Sequence, residues 1–268
     1  MLDLKLNNLK NLIATFKKGV VVGFSAGVDS TVLTVITHQV LADRMLAVTV
    51  DSEVIPRSEI EAAQQLARQY GFPHYLLRFN LSDHPEVMEN TLRRCYYCKK
   101  LIYKQLQDLT QSKGYQAVLD GSNTDDLGDF RPGREALTEL GVFSPFEQQG
   151  FTKSEIREIA HRLGLSVWNK PSSACLASRI PFGISLTTKA LHRIEQGEEL
   201  LKKLGAKQVR LRDHFPLARI ECPTEEWGLI LQNRHKITKE LKALTYSFVT
   251  LDLDGYQTGS FNPSSLML

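Results

Sequence analysis

The chain has 268 residues, 42% hydrophobic and 24% charged, and a net charge of +3. This is the composition of a soluble globular protein. It holds no apolar run long enough to span a bilayer, and the charge is too small to argue for a nucleic-acid surface. The length allows one large domain or two smaller ones. The N-terminus has no signal-peptide pattern, so the cytoplasm is the expected location.

Met1–Leu6 reads as the start of an amphipathic helix. The β-branched run Gly19–Phe24 reads as a strand. A small polar turn follows, Ser25-Ala26-Gly27-Val28-Asp29-Ser30, and Thr31–Ile36 has helical patterning. Arg44–Ser52 is a second strand with a polar end. Pro56 opens a helix over Arg57–Tyr70 that Gly71 stops. Pro73–Phe79 is a third strand, Arg93–Asp108 a helix and Ala117–Gly121 a fourth strand. Alternating strands and helices predict an α/β fold, a parallel sheet with helices on both faces. Ligands bind such sheets at the carboxyl ends of the strands. The turn at 25–30, Asp51-Ser52 and Gly121-Ser122-Asn123 all fall at those ends. A second layout starts near Pro181. It has a helix over Thr187–Leu204 and strands at Gln208–Arg212, Leu217–Glu221 and Tyr246–Asp252, with helical pattern between the last two. The expected organisation is an α/β domain over 1–180 and a small α+β domain over 181–268.

The turn at 25–30 joins a strand to a helix N-terminus. It aims several backbone N–H groups and the positive end of the helix dipole at one point. Ser25, Ser30 and Thr31 add hydroxyls, and Gly27 permits close approach of a bulky anion. Neither G-x-x-x-x-G-K-[ST] nor G-x-G-x-x-G is present, which argues against a kinase-type phosphate loop and a dinucleotide fold. The turn instead resembles the PP-loop, S-G-G-x-D-S, of the ATP pyrophosphatases, which cleave ATP between its α and β phosphates. Ala26 stands where that pattern has Gly, a mild departure provided its φ is negative. Gly23, Ser25, Ala26, Gly27, Val28, Asp29, Ser30, Asp51, Ser52, Gly121 and Asp125 are the candidate ATP-binding residues. Asp29 is the first choice for a carboxylate linked to Mg2+ on the phosphates, and Asp125 the second. In plainer readings Asp29 caps its own loop, Asp125 is a solvated carboxylate, and Asp51-Ser52 is a simple strand-end turn.

Four cysteines in a chain of this size do not make a disulfide framework. In a cytoplasmic protein, close spacing points to metal or redox chemistry. Cys95 and Cys98 form a C-x-x-C at a predicted helix start among Arg94, Lys99 and Lys100, a setting that favours thiolate. Cys175 lies far along the chain and Cys222 ends a predicted strand. Three readings stand: small buried hydrophobes, a structural zinc with Cys222 as fourth ligand, and an iron–sulfur cluster on Cys95, Cys98 and Cys175 that leaves one iron open.

The chain resembles the LarE family, the ATP-dependent sulfur transferases of nickel-pincer nucleotide cofactor synthesis. The likeness runs nearly end to end. It is carried by Gly23–Ser30, Val118–Asp126, Asp129-Phe130-Arg131-Pro132-Gly133, Trp168-Asn169-Lys170-Pro171, Ser178–Gly183, Val209–Arg212, Ala218–Glu221 and Asp254–Ser260. It implies adenylylation of the carboxylates of a pyridinium-3,5-dicarboxylate mononucleotide by ATP, and their conversion to thiocarboxylates. It also implies a hexamer and partnership with the other enzymes of that cofactor's synthesis. The family has two forms, one sacrificing the sulfur of its own cysteine and one with three cysteines and a 4Fe-4S cluster. The C-x-x-C favours the cluster form here, with sacrifice of Cys175 as the alternative. Ser178 and Arg179, beside Cys175, are candidates for binding a phosphate or developing charge; the plainer reading of Arg179 is a surface ion pair. Arg210 and Arg212 share a strand face and by resemblance hold the substrate phosphate. Glu198 and Glu221 match acidic positions near the substrate, and Gln257 stands where the family often has Arg.

The main rival is a PP-loop tRNA thiolase, which needs an electropositive stripe and stacking aromatics. Here the dense basic stretch is confined to Arg93-Arg94 and Lys99-Lys100, and Val28 stands where that class tends to have Lys. A zinc- or nucleotide-binding regulator and an ammonia-using ligase also compete; the first would release no pyrophosphate from ATP, and the second would not need the three cysteines.

Overall fold

A computed structural model describes residues 2–128, 132–171, 173–257 and Phe261. The Asp129-Phe130-Arg131 and Thr258-Gly259-Ser260 parts of the family motifs lie outside the described residues, as does Ser172. In chain order the elements are α1 (Leu2–Ala14), β1 (Val20–Gly23), α2 (Val28–Leu41), β2 (Met45–Asp51), α3 (Arg57–Tyr70), β3 (His74–Arg78), α4 (Pro85–Met88), α5 (Arg94–Ser112), β4 (Ala117–Leu119), α6 (Pro132–Glu139), α7 (Pro145–Gln148), α8 (Lys153–Arg162), α9 (Thr188–Lys203), β5 (Arg210–His214), β6 (Leu217–Glu221), α10 (Trp227–Gln232), α11 (Arg234–Ala243) and β7 (Phe248–Leu251).

Two compact units divide the chain. Met1–Asn80 joins Arg93–Ser173, and Leu81–Leu92 joins Ala174–Leu268. The sequence pattern put the join at 180/181 and had no excursion at 81–92. The local reason is Asn90. Its side-chain amide donates to Pro181 O (2.9 Å) and Ile184 O (2.8 Å), and its carbonyl accepts from Gly183 N–H (3.0 Å).

The first unit holds a parallel sheet in the order β3-β2-β1-β4. The α/β expectation with a parallel sheet holds. Alternation along β1 explains the layers. Val20 and Val22 face a core shared with Leu33 and Ile36 of α2 and Ile156 of α8, whereas Val21 faces Tyr103 and Leu106 of α5. Both sheet faces are covered, as a continuous β-branched strand requires. The chain leaves β1 toward β2 and β3 on one side and returns to β4 on the other. The β1/β4 edge is therefore the point where strand order reverses, the usual place for a ligand.

The second unit has a sheet in the order β5-β6-β7, antiparallel then parallel. Leu201 of α9 and Ile237 and Leu241 of α11 pack on Leu211, Ala218 and Ile220 of that sheet. β6 matches the expected bounds; β5 starts two residues later than expected and β7 is shorter.

Candidate functional site

β1 ends at Gly23, where the Tyr103 hydroxyl stands 2.9 Å from the place a Cβ would occupy. Phe24 N–H still pairs with Val48 O (2.8 Å), and the turn begins at Ser25. Ser25 N–H and hydroxyl both reach Ser30 Oγ (3.2 and 3.1 Å), and Ser30 Oγ donates to Gly27 O (3.2 Å). Thr31 Oγ1 also donates to Gly27 O (2.7 Å). The serine hydroxyls thus brace the loop from within. Gly27 is the N-cap of α2 and offers no capping side chain to its first turn. The N–H groups that open a helix need partners from outside it, and an anion is the ordinary partner. Val28 and Ala26 are buried beneath the turn.

Ala26 has φ +57. The negative φ under which alanine is harmless is not what the loop adopts. A residue with a Cβ in this left-handed conformation costs about 1–2 kcal/mol. Lys170 Nζ donates to Ala26 O (3.1 Å) and pairs with Glu59 (2.6 Å).

Asp29, in the first turn of α2, pairs with Lys153 Nζ, and Asn123 Nδ2 stands 3.5 Å from its other oxygen. Burial pushes its carboxyl above the ordinary aspartate value, against the pull of Lys153. Gly121 follows β4 closely against α2: a Cβ there would lie 3.2 Å from Ser30 N and 3.3 Å from the Asp29 carbonyl carbon. A side chain at 121 would wedge the two loops apart. Asp125 accepts from Lys153 N–H (2.9 Å) at the start of α8. Asp51 pairs with Arg57, which also donates to Ser52 O (2.9 Å). The Ser52 hydroxyl is buried with no hydrogen-bond partner among the described residues.

Sequence reasoning gave no role to Lys153 or to Lys170, although Lys170 lies in the Trp168–Pro171 motif. The signal for the first was present. Thr152 and Glu155 form a reciprocal capping box (Glu155 N–H to Thr152 Oγ1 3.3 Å, Thr152 N–H to Glu155 Oε2 2.9 Å) that starts α8 at Lys153. A second missed group lies below the 120–123 loop. Asp120 accepts from the buried Tyr103 hydroxyl (2.5 Å), from Ser122 N–H (2.8 Å) and from the Ser122 hydroxyl, and Lys99 Nζ stands 3.5 Å away. Burial pushes Asp120 up, but Lys99, Ser122 and Tyr103 outweigh it and hold the carboxyl below its ordinary value.

Cys95 and Cys98 lie in the first turns of α5, three residues apart and so on one helix face. Arg94 Nη2 approaches Cys95 Sγ (3.7 Å). These two cysteines belong to the first unit and Cys175 to the second. Among the described residues no three His, Cys, Asp or Glu side chains form a ready metal site. Two thiols on one face suit a soft metal or cluster edge. Cys222 is buried in the second core, with its thiol pushed up to about 11 by burial and then by Glu226.

In the second unit Cys175 is the N-cap of a short 3-10 turn, Leu176–Arg179. Its carbonyl accepts from Ser178 N–H (3.0 Å), Ser178 Oγ (2.8 Å) and Arg179 Nη1 (3.0 Å). Arg179 is buried, not a surface residue. It grips Glu198 through two bonds (2.8 and 3.0 Å) and also donates to Ala174 O (2.7 Å). Glu198 in turn accepts Leu211 N–H (3.1 Å). Burial pushes the Glu198 carboxyl up, and Arg179, Arg210 and the Leu211 N–H together hold it below its ordinary value. Arg212 bonds Glu221 (2.7 Å) and Ser178 O (2.8 Å). Arg210 lies under the Tyr256 ring (5.5 Å), its pKa drawn down by burial and then by Arg179. Arg179, Glu198, Arg210, Arg212 and Glu221 therefore meet in one buried charged cluster of this unit, while Gln257 is exposed.

Residues 5–104 match the NAD synthase family model. A pyridinium-3,5-bisthiocarboxylic acid mononucleotide synthase of Lactiplantibacillus plantarum is 35% identical over 94% of this chain and 92% of its own. An uncharacterized protein of Synechocystis sp. is 38% identical over 98% of both chains. A tRNA-specific 2-thiouridylase of Clostridium tetani is 30% identical, over 59% of this chain and 54% of its own. Among the described residues no helix is long and apolar enough to cross a membrane.

Proposed function

The chain belongs to the LarE family of ATP-using PP-loop sulfurtransferases, and from that membership we propose that it makes thiocarboxylates on a pyridinium-3,5-dicarboxylate mononucleotide. The observation that carries the nucleotide half is the open N-terminus of α2, with Asp29 and Lys153 beside it at the strand-order reversal.

A carboxylate is a poor electrophile because its leaving group would be oxide. In the proposed reaction a substrate carboxylate oxygen attacks the α-phosphorus of ATP and the bond to pyrophosphate breaks. The first turn of α2 holds the departing pyrophosphate, and Asp29 is the carboxylate that would hold Mg2+, which when bound would neutralise charge on the phosphates. The partnerless Ser52 hydroxyl is a hydrogen-bonding group for the nucleoside. Arg210 and Arg212 bind the substrate phosphate, with Glu198 and Glu221 setting their geometry. Sulfur then attacks the acyl carbon and AMP leaves. Cys95, Cys98 and Cys175 are the residues that would hold a 4Fe-4S cluster, which when bound would supply sulfide. The family likeness extends the proposal to a homohexamer working in the cytoplasm with other enzymes of nickel-pincer cofactor synthesis.

Anaerobic reconstitution with iron and sulfide, then turnover with ATP and the dicarboxylate mononucleotide, tests the reading. Cys95→Ala, Cys98→Ala and Cys175→Ala each abolish iron retention and thiocarboxylate formation; Cys222→Ala does not. Full activity in any of the first three overturns the cluster. If Cys175→Ala alone is inactive and each wild-type chain loses the mass of one hydrogen sulfide once as it turns over, Cys175 is instead the sacrificed donor. ATP-dependent thiolation of tRNA, with none of the mononucleotide, overturns the substrate assignment.

A further inference from the structure

Ala26 holds a left-handed conformation that a residue with a Cβ resists. Such a conformation persists only where its surroundings hold it. Three elements converge to do so. Arg157 of α8 donates to the carbonyls of Trp168 (2.7 Å) and Lys170 (2.9 Å), which fixes the main chain of that segment. Glu59, in the first turn of α3, fixes the Lys170 ammonium (2.6 Å). The ammonium then donates to Ala26 O (3.1 Å).

The peptide between Ala26 and Gly27 is trans, since the one cis bond among the described residues is Phe215–Pro216. A planar trans peptide points its C=O and N–H in opposite directions. A cation that holds the Ala26 carbonyl therefore also turns the Gly27 N–H away from itself. Gly27 is the N-cap of α2, so that N–H belongs to the set that opens the helix.

We propose that Lys170 is a positioning residue of the nucleotide site: it latches the Ala26–Gly27 peptide so that the Gly27 N–H faces the pyrophosphate part of ATP. The inference rests on the nucleotide reading under Proposed function and adds a residue to it. Glu59 neutralises the ammonium, so the pair contributes direction rather than net positive charge. The latch matters in this chain because alanine replaces the glycine that would take the left-handed conformation without help.

The test is calorimetric binding of inorganic pyrophosphate, ATP and AMP, each with magnesium, to the full chain. Lys170→Met weakens pyrophosphate and ATP by about tenfold, the loss of one charge-assisted hydrogen bond, and leaves AMP unchanged. Lys170→Arg restores most of the loss. Glu59→Gln, which keeps an acceptor for the ammonium and uncovers its charge, does not weaken pyrophosphate binding, so the two halves of one ion pair are not equivalent. Placed on Ala26→Gly, Lys170→Met has a smaller effect, because glycine holds the conformation unaided. A pair with a merely structural role would lower all three affinities together, equally from either partner and in either background, and that result overturns the inference. Wild-type protein that binds neither nucleotide nor pyrophosphate overturns the nucleotide reading and the inference with it. If Lys170→Met does not fold, Lys170→Gln, a shorter neutral donor, is read in its place: pyrophosphate and ATP weaken while AMP does not, and equal loss of all three overturns the inference.

Discussion

The two units solve the problem of placing polar groups in opposite ways. In the first, the groups proposed for recognition are backbone N–H groups at the mouth of a parallel sheet, and the ion pairs beside them sit half-exposed: Lys153–Asp29 has side chains 32% and 22% accessible, Lys170–Glu59 24% and 19%. In the second, the arginine side chains proposed for recognition are already engaged inside the protein. Arg179–Glu198 is 2% and 3% accessible, and Arg212–Glu221 6% and 1%. A sheet with reversing strand order supplies oriented donors at no side-chain cost. A small α+β unit has no such reservoir, so it fixes long side chains by pairing them. Buried pairs give geometry at a desolvation cost that can exceed their attraction.

The largest effect expected from that contrast follows from breaking one pair in each unit. Arg179→Met leaves Glu198 buried and unpaired and destabilises by about 3–5 kcal/mol, read by urea unfolding. Adding Glu198→Leu recovers part of it, since the uncompensated carboxylate is gone, while Arg210 loses an acidic neighbour and Leu211 N–H its acceptor. Lys153→Met breaks a half-exposed pair and costs at most about 1 kcal/mol. Equal costs for the two breaks would erase the distinction between the units.

A middle-sized effect tests the exception within the first unit, its buried Asp120 group. Tyr103→Phe removes one donor from Asp120 and costs about 1–3 kcal/mol. Asp120 has a lowered folded pKa, so its contribution is present above the ordinary carboxylate value and is lost as pH falls through the lowered one. Without Tyr103 the folded value rises toward the ordinary one, so the acid-side loss still begins near the ordinary carboxylate value but is smaller and is complete at higher pH. Acid titration of the variant against wild type reads both the cost and the shift.

The same division governs what the sequence revealed. Bounds set by local chemistry were legible: Pro56 and Gly71 frame α3 at 57–70, and the Val20–Val22 run is a strand covered on both faces. The converging strand ends were legible because a parallel sheet sends every such loop to one side. Partner choice was not. Arg179 reads equally well as an anion ligand or a surface pair until Glu198 arrives from α9, nineteen residues on. Nothing in an alanine announces a positive φ, so the strain at residue 26 was hidden, and with it the need for Lys170. The excursion at 81–92 was invisible for a similar reason, since Asn90 reads as an ordinary turn residue until its partners at 181–184 are known.

The smallest effect concerns one histidine in each unit. Thr49 Oγ1 donates its single proton to Phe24 O (2.7 Å), so in its contact with His74 Nε2 (2.8 Å) it must accept. His74 therefore keeps its Nε2 proton in either charge state, and protonation adds a charge at Nδ1 without breaking that bond. Burial alone lowers its pKa; His214 in the second unit is lowered by burial and then by Arg219. For a lowered folded value the stability is present above the unfolded histidine value and is lost as pH falls toward the folded one. The thermal midpoint should thus decline between about pH 7 and 5. His74→Gln keeps a donor for Thr49 and removes the titration, so it should flatten part of that decline while changing the midpoint little at about pH 7.5. His214→Gln should flatten the part belonging to the arginine-rich unit. A decline unchanged by either substitution would assign it to carboxylates instead, and the two histidines would then carry no charge penalty in the fold.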